Sequence, residues 1–87
     1  MILGKLIGNI WATRKSEELN GLKFMLAEEI CENRKGKRLV VVDIIGAGIG
    51  DRVIITMGSS AREMLGRENV PVDAIIVGII DEDCEIK

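Results

Sequence analysis

The chain has 87 residues, 47% of them apolar, a formal net charge of −2, one Trp, one Phe, no Tyr and no His. This length predicts one domain, residues 1–87, with a modest core that must be built from aliphatic side chains. The acidic balance and the scarcity of aromatic rings argue against nucleic-acid binding, and the absence of His removes the commonest general base and metal ligand. We therefore predict no enzyme, no metal site and no cofactor.

The cysteine spacing and the hydropathy of the sequence indicate the cellular compartment in which the protein resides. Cys31 and Cys84 form no C-x-x-C motif, and the sequence shows no signal peptide and no apolar run of 18 residues. These features predict a cytoplasmic protein with no membrane partner. The acidic segment Asp81–Glu85 could attract a divalent cation, but a solvated charged terminus is the favoured interpretation.

The first half of the chain contains one clear strand and one ambiguous segment. Residues 2–12 alternate for most of their length and are apolar on both faces, which predicts a strand that is buried on both faces, or buried on one face and used as an interface on the other. Thr13–Gly21 is polar and predicts a loop. Leu22–Ile30 fits a helical stripe as well as one face of a strand, and its periodicity alone slightly favours a helix.

Two further strands flank a run of glycines. Lys37–Ile45 predicts a strand, and the basic cluster Arg34–Arg38 before it is typical of a solvated hairpin turn. Asp43–Asp51 has the sequence DIIGAGIGD, with alternate glycines that permit positive φ and close backbone approach. Arg52–Met57 is a β-branched run that predicts the next strand.

The glycine run has two competing interpretations, a crowded turn where chains meet and a cradle for phosphate. A dinucleotide site needs G-x-G-x-x-G followed by a helix, whereas Asp51 holds the third glycine position here and a strand follows. A P-loop would need a Gly-Lys-Ser/Thr ending, which the chain lacks. A glycine-rich turn is therefore the favoured interpretation.

The last third of the chain predicts a short helix and a final strand. Ser59 or Ser60 would cap the helix with Glu63 completing a capping box, and Gly66 would end it. Asp73–Asp81 then predicts a strand of Ile and Val. The elements together predict an all-β chain with small α content. They would form a closed five-stranded barrel with one short helix before the last strand and aliphatic side chains filling the interior.

Four segments, in this order, resemble the EutN/CcmL family of pentameric vertex proteins of bacterial microcompartment shells. They are MILGKLIGNIWATRK, LNGLKFML, VVDIIGAGIGDRVIITMGSSAR and PVDAIIVGIID, and they span roughly residues 1–81. The resemblance implies an OB-like barrel, with Leu22–Ile30 as a strand. It also implies a homopentamer with a narrow axial opening that closes the vertices of a shell built mainly from hexameric shell proteins.

The resemblance also implies where the subunits meet. The family's glycine-rich turn and small-residue turn map to two segments here, and both are expected near subunit contacts: Gly46, Ala47, Gly48, Gly50 and Asp51, with Ser59, Ser60 and Arg62. Asp51 stands where the family often has Glu. Asp51 and Arg62 could contact a neighbouring subunit or brace the turns within one subunit. Ala47, Gly48 and Ile49 are the residues expected to line the opening.

Two alternatives remain open at this point. An OB-type module that binds single-stranded nucleic acid or another protein would suit the fold, although Trp11 and Phe24 are the only aromatic residues. A small enzyme or metabolite-binding subunit would have to use Asp43, Asp51 or Asp73 without an enclosed site. The sequence does not identify the pathway inside the compartment or the surface that contacts the hexamers.

Overall fold

The computed structural model describes residues 1–11, 17–66 and 70–85. A short 3-10 turn at Glu17–Leu19 lies within the predicted loop, part of which is outside the described residues. One α-helix, α1, spans Ser59–Leu65. The strands are β1 (Ile2–Ile10), β2 (Lys23–Glu29), β3 (Arg38–Asp43), β4 (Arg52–Met57) and β5 (Ala74–Ile79).

The five strands close into a barrel in the order β1-β2-β3-β5-β4. Strand β1 pairs antiparallel with both β2 and β4, and its register with β2 shifts at a bulge between Leu6 and Gly8. The remaining contacts are antiparallel except for the parallel pair β3 and β5. Because every strand has two neighbours, no open edge remains. The predicted five-stranded barrel with one short helix before the last strand is confirmed.

The barrel interior is filled by aliphatic side chains from all five strands. The alternation of each strand points every second residue inward, where the side chains pack against one another. One further core residue comes from the loop after β3. The cluster comprises Leu6, Met25, Ala27, Val41, Ala47, Val53, Ile55, Ala74 and Ile76.

A second, smaller cluster lies outside the barrel wall, beneath α1. Ala61 is the buried residue of α1, and it packs with Val42 and Ile75 from the strands and with Val70 and Val72 from the segment before β5. Phe24 packs against the same cluster. The helix therefore covers apolar positions that would otherwise face solvent.

The ambiguous second segment is a strand, and the slight helical preference of its periodicity is wrong. Its residues pair with β1 on one side and β3 on the other, with Met25 and Ala27 fully buried inside the barrel. Helix propensity is a weak local preference, and two ladders of interstrand hydrogen bonds override it.

The predicted capping box of the helix is wrong, whereas its predicted end is confirmed. Gly58 occupies the N-cap position with φ 65° and ψ −140°, and no side chain caps the helix. This backbone conformation is available mainly to glycine, so the helix starts one residue too early for Ser59 to serve as the cap. Gly66 ends the helix in the left-handed conformation, and its N–H donates to helical carbonyl groups.

The connection between β2 and β3 depends on a close backbone approach at Gly36. A Cβ atom at this position would lie 1.7 Å from the carbonyl oxygen of Glu29. The Glu29 N–H donates to the Lys37 carbonyl at 2.8 Å, which fixes the two backbones against each other. The predicted turn around the basic cluster is thus a longer hairpin connection, held also by ion pairs from Arg34 to Glu29 and from Arg38 to Glu28.

We expect Gly36→Ala to lower the free energy of unfolding by about 1–3 kcal/mol, because the added methyl group must push two backbones apart. Gly8→Ala is the matched control, since its Cβ atom would make an ordinary 3.9 Å contact with Leu26. Urea unfolding of both variants at one protein concentration measures the difference. Equal stability of the two variants would contradict the packing at Gly36.

Candidate subunit interface

The two turns singled out by the sequence lie at opposite ends of β4. The glycine-rich loop, residues 44–51, joins the end of β3 to the start of β4, and the small-residue turn, residues 58–62, follows the end of β4. A six-residue strand separates them by about 20 Å. A single subunit therefore does not bring the two turns together.

The glycine-rich loop crosses the end of the barrel and is fixed to β1. The Gly50 N–H donates to the Leu6 carbonyl at 2.8 Å, and the Leu6 N–H donates to the Asp51 carbonyl at 2.9 Å. Gly46 and Gly50 have φ of 89° and 95°, the left-handed region that side chains other than glycine rarely adopt. These two glycines are required by the path of the loop within one subunit.

Asp43 anchors the start of the loop. Its side chain is only 1% exposed, and its Oδ1 accepts hydrogen bonds from the N–H groups of Ile45 at 3.0 Å and Gly46 at 3.1 Å. This arrangement is an Asx turn, in which a carboxylate substitutes for backbone partners that the turn cannot supply. The residue acts as a structural anchor rather than as an accessible acid.

Lys23 completes this anchor from the start of β2. Its Nζ lies 3.1 Å from Asp43 Oδ2 and donates to the Ala47 carbonyl at 2.8 Å. Burial alone would raise the pKa of Asp43, but the hydrogen bonds from the Ile45 amide and from Lys23 outweigh burial, so the pKa lies below its ordinary value. The carboxylate is thus held in its charged form.

The far end of the loop is braced by Asp51. Its Oδ2 accepts a hydrogen bond from the Gly48 N–H at 2.9 Å. A Cβ atom at Gly48 would meet only this carboxylate, at 4.0 Å, and Gly48 does not have positive φ. Unlike Gly46 and Gly50, Gly48 is therefore not required by the fold of one subunit.

The middle of the loop presents two residues in opposite directions. Ala47 is 2% exposed and packs inside the barrel, whereas Ile49 is 60% exposed. The side chain of Ala47 therefore belongs to the core of its own subunit, and only its backbone is available at the surface.

The small-residue turn is supported differently. The Gly58 N–H donates to the Asp73 carbonyl at 2.7 Å, and Ser59 and Ser60 are exposed at the start of α1. The Nη1 atom of Arg62 approaches the Val72 carbonyl at 3.4 Å. Within the subunit, Asp51 braces its own turn whereas Arg62 contacts the segment before β5, and the two residues lie beyond opposite ends of β4.

The geometry of the carboxylates and aromatic rings does not favour the two alternatives. Asp43 and Asp51 are both held by backbone N–H groups of the same loop. Phe24 packs against the cluster beneath α1 and Trp11 is exposed, and both rings border one surface pocket. Two rings with the single lining cation Lys23 fall short of the aromatic platform and basic groove of single-strand binders. Within residues 1–11, 17–66 and 70–85, no three acidic or cysteine side chains cluster as metal ligands, and no helix is long and apolar enough to cross a membrane.

Sequence reasoning missed the role of Lys23. Nothing in the sequence pairs this residue with Asp43, which lies 20 positions away. The register of β2 against β3 places them directly opposite each other. Only an assignment of residues 23–29 as a strand next to β3 could have revealed the ion pair.

These features define a class of protein. The chain is a small closed β-barrel whose interior is filled by aliphatic residues and whose glycine-rich loop lies across one end. The chain belongs to the family described as ethanolamine utilisation protein EutN/carboxysome, whose model matches residues 1–81.

Known relatives are similar over nearly the whole chain. The bacterial microcompartment shell vertex protein GrpN of Rhodospirillum rubrum is 43% identical over 83 residues, covering 93% of each chain. The carboxysome shell vertex protein CcmL of Synechocystis is 38% identical over 85 residues, covering 93% of this chain and 83% of that protein. The solved structure of the R. rubrum GrpN pentameric microcompartment shell protein has a TM-score of 0.80 at 42% identity, covering 93% of this chain and 95% of that one.

We expect Asp43→Asn to lower the free energy of unfolding near neutral pH by about 1–3 kcal/mol, because it removes the ion pair with Lys23. The folded-state pKa of Asp43 is lowered, so its contribution is fully present above the unfolded value of about 3.9 and is lost as the pH falls through the folded pKa. Urea unfolding at a series of pH values should therefore show the gap between wild type and variant closing in acid.

Asp73→Asn, at an exposed carboxylate beside β5, is the control and should leave stability nearly unchanged at neutral pH. A gap between wild type and Asp43→Asn that stays constant from neutral to strongly acidic pH would contradict the proposed charge state of Asp43.

Proposed function

We propose that this chain is a structural, non-enzymatic subunit of a bacterial microcompartment shell, in which five copies form a ring that closes a vertex. The observation that carries the proposal is the similarity of the whole barrel to vertex proteins, one of them solved as a pentameric shell protein. Residues 1–87 would act as one vertex domain. The site of action would be the shell of a compartment within the cytoplasm.

The subunit contacts are assigned in this proposal to the two turns at the ends of β4. The support is physical, since the loop is held rigidly by Asp43 and Asp51 and is therefore pre-ordered for packing. Gly48 adds a second argument, because its small size has no explanation within one subunit. The interface residues are Gly46, Ala47, Gly48, Gly50, Asp51, Ser59, Ser60 and Arg62.

The axial opening is assigned to the same loop. Five copies of the backbone at residues 47–49 would border it, with Ala47 contributing only main-chain groups because its side chain is buried. Glycine at position 48 would allow five loops to approach the axis without a clash.

The remaining partners in this proposal are hexameric shell proteins. A flat layer of hexagonal units cannot close, so pentagonal units must supply the curvature. The outer edge of the ring would contact the hexamers, and the exposed segments Asn33–Arg38 and Asp81–Glu85 are candidates for that edge. Coexpression with a hexameric shell protein should give closed shells by electron microscopy, and loss of closure without this chain would support the vertex role.

Native mass spectrometry of the purified chain at several concentrations tests the ring directly. A species of five subunits is expected, because the chain is similar over nearly its whole length to a protein solved as a pentameric shell protein. A monomer or dimer at every concentration would overturn the proposed function.

We expect Gly48→Val to abolish the five-subunit species while leaving the barrel folded. The added side chain has room within one subunit but none between tightly packed copies. Native mass and thermal unfolding of the same sample separate the two effects. Gly48→Ala should give an intermediate loss of assembly. Gly8→Val, at a strand position where the Cβ atom would make an ordinary 3.9 Å contact, is the control. Wild-type assembly of Gly48→Val would rule out close packing at this turn.

A further inference from the structure

An apolar groove lies on the wall of the barrel, across the outer faces of β1, β4 and β5. Its aliphatic walls are formed by Leu3, Ile54, Ile79 and Ile80, and all of its lining residues lie outside the glycine-rich loop and the small-residue turn. Leu3 and Ile54 are direct cross-strand partners, and Ile79 is 44% exposed. The groove has a volume of about 510 Å³, a size typical of sites that bury a small group.

One side of the groove is formed by the acidic turn, residues 81–85, and Arg52 fixes the backbone of this turn. The Nη2 atom of Arg52 donates to the carbonyl groups of Asp81 at 2.8 Å, Glu82 at 3.2 Å and Cys84 at 2.9 Å. The Cys84 N–H donates to the Asp81 carbonyl at 3.0 Å, which closes the turn on itself. The rim of the groove is thus ordered in advance, so little conformational entropy would be lost when a partner binds there.

The acidic turn also gives this side of the groove a negative charge. Four of its five residues are acidic, and Asp81 and Glu85 are among the residues that line the groove. The three strands beneath carry two cations, Lys5 and Arg52, and the Arg52 guanidinium is already engaged by the carbonyl groups of the turn. Apolar walls with an acidic rim favour a partner that presents apolar and cationic groups together, and they repel nucleic acids and anionic lipid surfaces.

We propose that this groove docks a basic, amphipathic segment of another protein. An aliphatic side chain of that segment packs against Leu3, Ile54 and Ile79, and a neighbouring Lys or Arg side chain pairs with Asp81 or Glu85. The site is complete within one subunit and uses neither of the turns assigned to the ring. It therefore goes beyond the vertex role, which leaves the chemistry of a partner at this wall unspecified.

Fluorescence anisotropy of a dye-labelled peptide, Gly-Lys-Leu-Leu-Lys-Gly, tests this surface on the full chain. The titration is made in about 0.15 M salt, where charges more than about 8 Å apart are largely screened. Saturable binding is expected. The peptide Gly-Lys-Ser-Ser-Lys-Gly has the same charge but lacks the side chains that the groove would bury, so it should bind at least about tenfold more weakly. Equal affinity for the two peptides would overturn the proposal.

Two matched double variants locate the charge contact. Asp81→Asn with Glu85→Gln removes two carboxylates that line the groove, whereas Glu82→Gln with Asp83→Asn removes two from the same turn that do not. Both pairs change the net charge equally, and both leave the carbonyl groups that Arg52 contacts. The first pair should weaken binding of the leucine peptide about fivefold and the second less than about twofold. Equal losses would indicate a general attraction to the acidic turn and would overturn the assigned site.

Ile79→Lys tests the apolar wall, because it places a cation where a leucine of the peptide would pack. The position is exposed enough for the fold to tolerate the change, and thermal unfolding checks that it does. Val40→Lys, at a 52% exposed position on β3, is the control for the added charge. Ile79→Lys should weaken binding at least about tenfold, whereas Val40→Lys should leave it nearly unchanged. Undiminished binding to folded Ile79→Lys would contradict the proposal.

A chain that ends at Glu85 tests whether residues 86 and 87 compete with the peptide for the groove. Equal binding before and after this truncation supports a surface that is open to a partner. Binding that is seen only in the truncated chain would assign the groove to the chain's own last residues, and the proposal would then be wrong.

Native mass spectrometry of the full chain with the leucine peptide separates docking from the vertex role. Peptide bound to the five-subunit species supports both. Peptide bound only to single subunits would show that the ring covers the groove, and a five-subunit species that binds no peptide would likewise overturn docking while leaving the vertex role standing. A chain that binds the peptide but never forms a ring would overturn the vertex role and leave the docking site standing.

Discussion

The pairing of β1 with two strands at once is the constraint on which the rest of this structure depends. Residues 2–5 pair with β4, and residues 4–10 pair with β2 across a bulge, so one strand closes the whole sheet. Closure removes both edges and leaves the ends of the barrel as the places where loops can be displayed. The glycine-rich loop is fastened to the same strand at Leu6. The element that closes the barrel therefore also positions the loop to which subunit contact is assigned.

Most of the fold could be predicted from the sequence because alternation along a half-buried strand is a strong signal. Strands β1, β3, β4 and β5 lie within the predicted segments, and Gly66 ends the helix as expected. The second segment could not be settled by periodicity, since LKFMLAEEI fits both periods and only its pairing with β1 and β3 decides between them. The family resemblance supplied the strand where local reasoning favoured a helix. The predicted helix cap was wrong because the N-cap position has a backbone conformation that favours glycine. Gly58 therefore occupies it, and Ser59 lies inside the helix.

The candidate interface was less predictable, because a run of glycines does not reveal what each glycine does. Gly46 and Gly50 are explained by positive φ within one subunit, whereas Gly48 is not. Only the structure reveals this difference, which distinguishes the two glycines that the fold requires from the one that it does not. The same applies to Ala47, which the sequence places at an opening and the barrel takes into its core. Lys23 is the converse case. No sequence motif marks it, yet its side chain contacts both the Asp43 carboxylate and the Ala47 carbonyl group.

The position of the two turns at the ends of β4 has a geometric consequence for shell shape. In a head-to-tail ring, the angle between the two contact surfaces of one subunit decides how many copies complete the circle. If the two turns form the contacts, that angle is set by the twist of β4, a short strand in a closed, densely packed barrel that resists bending. Ring size would therefore be a property of the barrel itself, and substitutions that alter the twist of β4 would change the symmetry of the assembly without touching either contact.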